Sequence, residues 1–99
     1  MKKVVLLCAA GMSTSLLVER IKTEAKNDNY EIDIEALPIS QYMKVASVAD
    51  IILLGPQIRF ELAKVKAAAN CPVEAIDMSA YGMMDGKKVL QQIKQTLGD

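Results

Sequence analysis

Cys8 is the side chain in this sequence that is best placed to do chemistry. It ends the apolar run 4–7 and precedes a loop of small and hydroxylated residues, 9–15, after which a helical pattern begins. A thiol at the end of a buried strand would lie beside the free N–H groups and the positive dipole of that helix N-terminus. Such an environment binds phosphate and stabilises a thiolate. This pattern therefore indicates cysteine–phosphate chemistry.

The loop after Cys8 supplies the candidate phosphate ligands, which are Ala9, Ala10, Gly11, Met12, Ser13, Thr14 and Ser15. Gly11 would allow the backbone to approach phosphate oxygens closely. Ser13, Thr14 or Ser15 could cap the following helix or bind phosphate, and the sequence leaves both roles open. The simpler alternative for the whole loop is that Cys8 only packs beneath a strand–helix turn.

Histidine is absent from the sequence, and this excludes several kinds of catalytic site. Cys-His pairs and Ser-His-Asp triads both need an imidazole. Two distant cysteines with carboxylates do not make a metal site, so we expect neither a metal nor a cofactor. Any histidine that exchanges phosphate with Cys8 must belong to another protein. Cys71 is expected to be a small buried apolar residue rather than a disulfide partner of Cys8.

Length and charge bound the class of protein. The chain of 99 residues has 12 acidic and 12 basic residues and few aromatic ones. One domain over 1–99 is expected, and the isolated protein is expected to be a monomer with no nucleic acid as partner. No apolar run approaches the ~20 residues of a membrane span, which predicts a cytoplasmic protein with no direct membrane insertion and no targeting segment.

Strand-like and helix-like patterns alternate along the chain, which is typical of an α/β fold with a parallel sheet. The predicted strands are 3–8, 31–37, 50–55 and 73–77. The predicted helices are 14–27, 40–48, 58–70 and 85–97.

The apolar patterns of the strands also predict their order. The first and third strands are continuously apolar, as central strands are, whereas charge interrupts the second and fourth. Right-handed crossovers then give an open four-stranded parallel sheet of order 2-1-3-4 with helices on both faces. Such sheets bind ligands where the chain reverses direction, at the carboxyl ends of the central strands. Cys8 and Gly55-Pro56-Gln57 lie at those ends.

The loop from Cys8 to Ser15 resembles the phosphorylation loop of enzyme IIB of the bacterial sugar phosphotransferase system, of the lactose/cellobiose/chitobiose type. Residues 53–58, 72–82 and 85–86 resemble the same family, so the similarity spans nearly the whole chain. The resemblance implies a phosphotransferase in which Cys8 accepts a phosphoryl group from a phosphohistidine of enzyme IIA. Cys8 would pass the group to a sugar at the membrane transporter, enzyme IIC, with which the protein would associate peripherally. The residues do not identify the sugar.

Candidate partner contacts surround the same edge of the sheet. Three methionines and a tyrosine lie in the segment 78–84, which is predicted to be a loop, and methionine-rich loops are adaptable contact surfaces. The candidates are Met12, Gln57, Met78, Tyr81 and Met83. The alternative is that the segment folds back onto the core.

A cysteine loop before a helix also resembles the C-x5-R loop of low-molecular-weight tyrosine phosphatases. Here the arginine position is Thr14, which removes the bidentate clamp on the transferring phosphoryl group. Asp77 could be a leaving-group acid or a helix cap. Gln57 could reach the phosphate or a docked partner, or be a solvated turn residue, and Arg59 could have a use at this edge or be a solvated charge. The sequence favours a carrier over a phosphatase, and a non-catalytic phosphate-binding module is the third alternative.

Overall fold

The computed structural model describes residues 1–9 and 14–99. Strands and helices alternate in the order β1 (Lys2–Cys8), α1 (Ser15–Asn27), β2 (Ile32–Pro38), α2 (Tyr42–Val45), β3 (Ile51–Leu54), α3 (Leu62–Ala68), β4 (Val73–Ala75), α4 (Met78–Gly82) and α5 (Gly86–Leu97). Two 3₁₀ segments, Ile39–Gln41 and Pro56–Glu61, precede α2 and α3 respectively.

The sheet has the predicted architecture. Its four strands are parallel and lie in the order β2-β1-β3-β4. Leu7 of β1 pairs with Leu54 of β3, so the two central strands end side by side. Because the chain moves outward in opposite directions from these two strands, their carboxyl ends form the point where open α/β sheets bind ligands. Cys8 is the last residue of β1 and therefore lies there.

Side chains alternate between two cores, one on each face of the sheet. Val4 and Leu6 of β1 pack in a core shared with α1, α4 and α5. Val5 and Leu7 pack in a second core shared with α2 and α3. This period of two is what a strand covered on both faces requires, and it explains why β1 is continuously apolar. Helices on both faces are thus confirmed.

The two long helices form one side of the molecule. Leu17, Ile21 and Ala25 of α1 and Val89, Leu90 and Ile93 of α5 are buried in the same core, as their helical spacing predicts. Within residues 1–9 and 14–99, no helix combines the length and the apolar character needed to cross a membrane.

The predicted bounds were wrong for several elements after β2. Strand 73–77 ends at Ala75 because its only neighbour, β3, ends at the paired Leu54. Helix 58–70 is preceded by a 3₁₀ segment in which Ile58 has non-helical φ and ψ angles of −121° and 23°. Helix 40–48 is reduced to a 3₁₀ segment and a single turn, α2. The segment predicted as a loop after β4 contains the short helix α4, which Asp77 caps.

Candidate functional site

Cys8 is fixed at the carboxyl edge of the sheet by two polar contacts. Its side chain is 8% exposed and packs where β1 pairs with Pro38 of β2. The Sγ atom lies 3.6 Å from the Thr14 hydroxyl oxygen, with either atom able to donate, and it donates to the Leu37 carbonyl oxygen at 3.6 Å. The thiol is therefore oriented by two neighbours, and its chemical role stays a prediction.

Thr14 turns its side chain toward Cys8 and not toward the helix that it precedes. It occupies the N-cap position of α1 and is 4% exposed, but its hydroxyl makes no capping hydrogen bond. Its carbonyl oxygen accepts the first helical bond, from the Val18 N–H at 3.0 Å. The first turn of α1, which the structure describes in full, contains no acidic residue. The positive end of the helix dipole is consequently not neutralised there and favours an anion beside Cys8.

The rest of the predicted phosphate loop divides into two groups. Ala9 packs against the α2–α3 core, and Ser15 is exposed as the first residue of α1. Ala10, Gly11, Met12 and Ser13 lie outside the described residues. Their phosphate-binding role stays a prediction, as does the partner contact of Met12.

Gly55 follows β3 and lies between the end of β1 and the side chains of Gln57 and Tyr81. Its N–H donates to the Leu7 carbonyl oxygen at 2.9 Å, which holds the end of β3 against the end of β1. A Cβ atom at Gly55 would lie 3.2 Å from Gln57 Oε1 and 3.7 Å from Tyr81 Cε2. The glycine thus lets an amide and a phenol ring approach the strand ends closely.

The candidate partner contacts differ in exposure. Met78 and Met83 are 66% and 73% exposed, and Gln57 is also exposed. Tyr81 is only 6% exposed and belongs to the core shared with α1 and α5, which is the alternative that the sequence left open. Burial raises the pKa of the Tyr81 phenol, and the charge of Cys8 raises it further. Partner contact by the exposed residues stays a prediction.

Asp77 is a helix cap in this structure. Its Oδ2 accepts from the Ala80 N–H at 3.1 Å and from the Ser79 hydroxyl, and it lies 3.5 Å from Lys88 Nζ. The Ser79 hydrogen bond, followed by that of Ala80, holds the pKa of Asp77 below its ordinary value. Such a carboxylate is ionised at neutral pH and is a poor leaving-group acid.

Arg59 lies near this cap without forming part of it. The residue is exposed and lines a pocket of about 260 Å³ together with Pro56, Asp77 and Met78. This placement puts its charge at the carboxyl edge of the sheet, and any use of that charge stays untested.

Two exposed apolar residues near this edge were missed from sequence. Phe60, in the 3₁₀ segment after β3, is 78% exposed, and Leu16, in the first turn of α1, is 48% exposed. The only sequence signal for Phe60 was its position between the charged residues Arg59 and Glu61. Large exposed apolar side chains beside a candidate site are typical of contact surfaces.

Cys71 lies at the opposite edge, just before β4, and both cysteines are free. It is half-buried rather than fully buried, because it packs at the margin of the α2–α3 core. Burial, and then the charge of Asp50, raise the pKa of its thiol, which disfavours a reactive thiolate. In the part of the chain that the structure describes, no three His, Cys, Asp or Glu residues are grouped to hold a metal ion.

Comparison with known proteins agrees with this geometry. Residues 3–92 match the family described as "PTS system, Lactose/Cellobiose specific IIB subunit". The chain is 45% identical over 95 residues to the oligo-beta-mannoside-specific EIIB component of Bacillus subtilis (strain 168), with 93% of this chain and 92% of that protein covered. It is 41% identical over 97 residues to the cellobiose-specific EIIB component of Lactococcus lactis subsp. lactis (strain IL1403), with 90% of each covered.

A solved structure extends the similarity to three dimensions. The solution structure of a cellobiose-specific phosphotransferase IIB component from Borrelia burgdorferi superposes with a TM-score of 0.78 at 35% identity, covering 98% of this chain and 92% of that one. Sequence, fold and family model thus agree over nearly the full length. The chain belongs to the lactose/cellobiose-specific IIB family of the phosphotransferase system.

Proposed function

We propose that this chain carries a phosphoryl group on Cys8 between two partners of the phosphotransferase system. The donor is a phosphohistidine of enzyme IIA, and the acceptor is a sugar bound by the membrane enzyme IIC. The observation that carries the proposal is the position of the Cys8 thiol, which contacts Thr14 at the start of α1 in a chain without histidine. Membership of the IIB family supports a role in phosphoryl transfer.

The first step is an in-line displacement at phosphorus. The Cys8 thiolate supplies the electron pair of the new S–P bond while the P–N bond to the IIA histidine breaks and its electrons stay on the imidazole nitrogen. The start of α1 favours both the thiolate and the phosphoryl anion that replaces it. A hydrogen bond donated by the Thr14 hydroxyl would further stabilise the sulfur anion.

The second step reverses the roles of the sulfur. A sugar hydroxyl attacks phosphorus, so that an O–P bond forms while the S–P bond breaks and its electrons stay on the leaving thiolate. The hydroxyl proton passes to water or to a basic group of the acceptor complex. Because Cys8 is the last residue of β1 and is 8% exposed, we expect partners to reach the phosphoryl group from the carboxyl edge of the sheet. Donor and acceptor must therefore use the same edge in turn.

That requirement defines the proposed docking surface, which we call the rim. It consists of exposed residues from the elements that end or begin at this edge, namely Leu16, Gln57, Phe60, Met78 and Met83. Because the carrier must release IIA before it meets IIC, each interface is expected to be small and transient. Docking on IIC would hold the protein at the cytoplasmic face of the membrane. By analogy with the similar proteins named for cellobiose and oligo-beta-mannosides, the sugar is of the cellobiose, lactose or chitobiose type.

Two residues count against the alternative that the protein is a phosphatase. Thr14 stands where the arginine clamp is needed, and Asp77 is committed to capping α4 with a lowered pKa. A phosphate-binding module without transfer would not need a thiol at the strand end. The carrier is therefore the function that the site supports best.

Intact-mass measurement tests the proposal. The protein is incubated with phosphoenolpyruvate, the general phosphotransferase proteins and a cognate IIA, and an adduct of about 80 Da is expected. Cys8→Ser should gain none, because a serine hydroxyl is hardly ionised near neutral pH. Cys71→Ser is the matched control and should be labelled normally. Labelling of Cys8→Ser, or hydrolysis of an aryl phosphate that depends on Cys8, would contradict the carrier function.

A further inference from the structure

Tyr81 is a buried polar side chain that the carrier mechanism as described does not use. Its side chain is 6% exposed and lies in the core formed by the sheet, α1 and α5. A phenol that only filled space there could be replaced by a phenylalanine, so its hydroxyl matters only if it meets a polar group. Its surroundings indicate what that group is.

The Tyr81 ring reaches the strand ends. The ring atom Cε2, which is bonded to the carbon that bears the hydroxyl, would lie 3.7 Å from a Cβ atom at Gly55. That same Cβ position is 3.8 Å from the carbonyl oxygen of Leu7, the residue before Cys8. The phenol therefore extends over the carboxyl ends of β1 and β3, on the side of the sheet that α1 also covers.

The backbone of α4 holds this direction. The Tyr81 N–H donates to the Asp77 carbonyl oxygen at 2.9 Å, and its own carbonyl oxygen accepts from the Met84 N–H at 3.1 Å. The Asp77 carboxylate caps the same turn through the Ala80 N–H. These bonds hold the backbone of α4 at both ends of the turn from which the ring extends.

The electrostatics of the position suit a donor. Burial raises the pKa of Tyr81, and the neighbouring Cys8 charge raises it further, so the phenol keeps its proton at neutral pH. A negative group attached to Cys8 would act in the same direction and more strongly, because a phosphoryl group adds up to two charges. A neutral O–H beside such an anion makes a charge-assisted hydrogen bond.

We propose that the Tyr81 hydroxyl donates a hydrogen bond to a non-bridging oxygen of the phosphoryl group on Cys8. The inference rests on the proposed carrier function. It adds a phosphoryl ligand from α4, the helix that follows β4. No proton is transferred and no covalent bond changes at Tyr81. The bond exists only in the phosphorylated protein, so it shifts the transfer equilibrium from IIA toward phosphocysteine, by roughly tenfold to a hundredfold for a hydrogen bond to a charged group.

Tyr81→Phe removes the donor and keeps the ring. The equilibrium constant for phosphoryl transfer from phospho-IIA should fall roughly tenfold to a hundredfold. Tyr30→Phe is the matched control, because Tyr30 lies at the amino edge of the sheet and its hydroxyl binds Asp99. It should leave the transfer equilibrium unchanged even if it lowers stability. An unchanged equilibrium in Tyr81→Phe, or an equal shift in both variants, would overturn the role of Tyr81.

A measurement on the wild-type chain decides the matter if Tyr81→Phe does not fold. The phenol pKa of Tyr81, followed by NMR of the ring carbon that bears the hydroxyl, should rise when Cys8 is phosphorylated. No rise would overturn the inference. This failure is distinguishable from failure of the carrier function, because in the latter case the wild-type chain gains no mass adduct at all.

Discussion

Gly86→Ala should destabilise the protein, because α1 and α5 touch backbone to backbone at this glycine. A Cβ atom there would lie 2.5 Å from the Arg20 carbonyl carbon, 2.7 Å from its oxygen and 2.8 Å from the Ile21 nitrogen. Carbon atoms in contact normally stand ~3.5–4.0 Å apart, so the helices must separate by about 1 Å. The neighbouring Ile21 and Val89 are both 0% exposed, and such a separation would loosen their packing.

The expected loss follows from two opposing effects. Overpacking of this kind costs ~1–3 kcal/mol and occasionally more, whereas replacing glycine gains ~0.4–1 kcal/mol by restricting the unfolded chain. We expect a net loss of roughly 1–2 kcal/mol in the free energy of unfolding, which a domain with a typical stability of ~5–15 kcal/mol survives.

Urea unfolding monitored by circular dichroism measures this loss. The unfolding midpoint should fall with little change in its denaturant dependence, since the unfolded surface is nearly the same. Gly82→Ala in α4 is the matched control, because a Cβ atom at Gly82 would have no atom within 4 Å. That variant should equal or exceed the wild type in stability. Equal stability of the two alanine variants would refute the close-contact argument.

Two further predictions concern α4 and the rim. Asp77→Asn should be less stable than the wild type near neutral pH. Since Ser79 and Ala80 lower the pKa of Asp77, its stabilisation is present above the ordinary carboxyl pKa and is lost as pH falls through the folded-state pKa. Urea midpoints should therefore converge in acid, and a constant difference would contradict this. Met83→Lys should raise KM for phospho-IIA with little change in kcat, because it alters the rim and not Cys8. Val48→Lys is the control: Val48 is similarly exposed but lies at the amino edge, so KM and kcat should not change. Equal effects of the two substitutions would argue against docking at the rim.

Much of the fold could be predicted because the strands differ in how they are buried. Residues 4–7 and 51–54 are continuously apolar and are the central strands, whereas the charges of β2 place it at an edge. Strand order, direction and the location of Cys8 then follow from right-handed crossovers. The sequence patterns reveal the strand order because burial of one or both faces of a strand determines which of its residues must be apolar.

The short helices could not be predicted in the same way. Segments 40–48 and 58–70 have helical patterns, but one-turn helices depend on tertiary packing more than on local preference. At Ile58 the side chain enters the α2–α3 core, and its backbone departs from helical angles. Ile58 is the buried residue of this 3₁₀ segment, and α3 begins only after the segment ends.

The candidate site was only partly predictable for a related reason. Cys8 and Thr14 are six residues apart, and a strand–loop–helix connection brings them together, so local pattern was sufficient. Tyr81 was assigned less well and Phe60 was missed, because aromatic residues occur both in cores and in contact surfaces. Only the three-dimensional packing shows that Tyr81 is internal, whereas Phe60, in the 3₁₀ segment after β3, faces outward.

Under the proposed carrier function, what the site lacks is as important as what it holds. A phosphocysteine must resist water until an acceptor arrives, yet react when one does. An arginine clamp and a proton-donating acid each typically accelerate transfer by ~10²-fold or more, and they would assist attack by water as well. Thr14 provides a neutral hydroxyl where a phosphatase has its arginine clamp. Asp77 cannot serve as the proton-donating acid, because its carboxylate caps α4. The remaining catalytic groups must then arrive with the partner, which couples the reaction to docking on the rim.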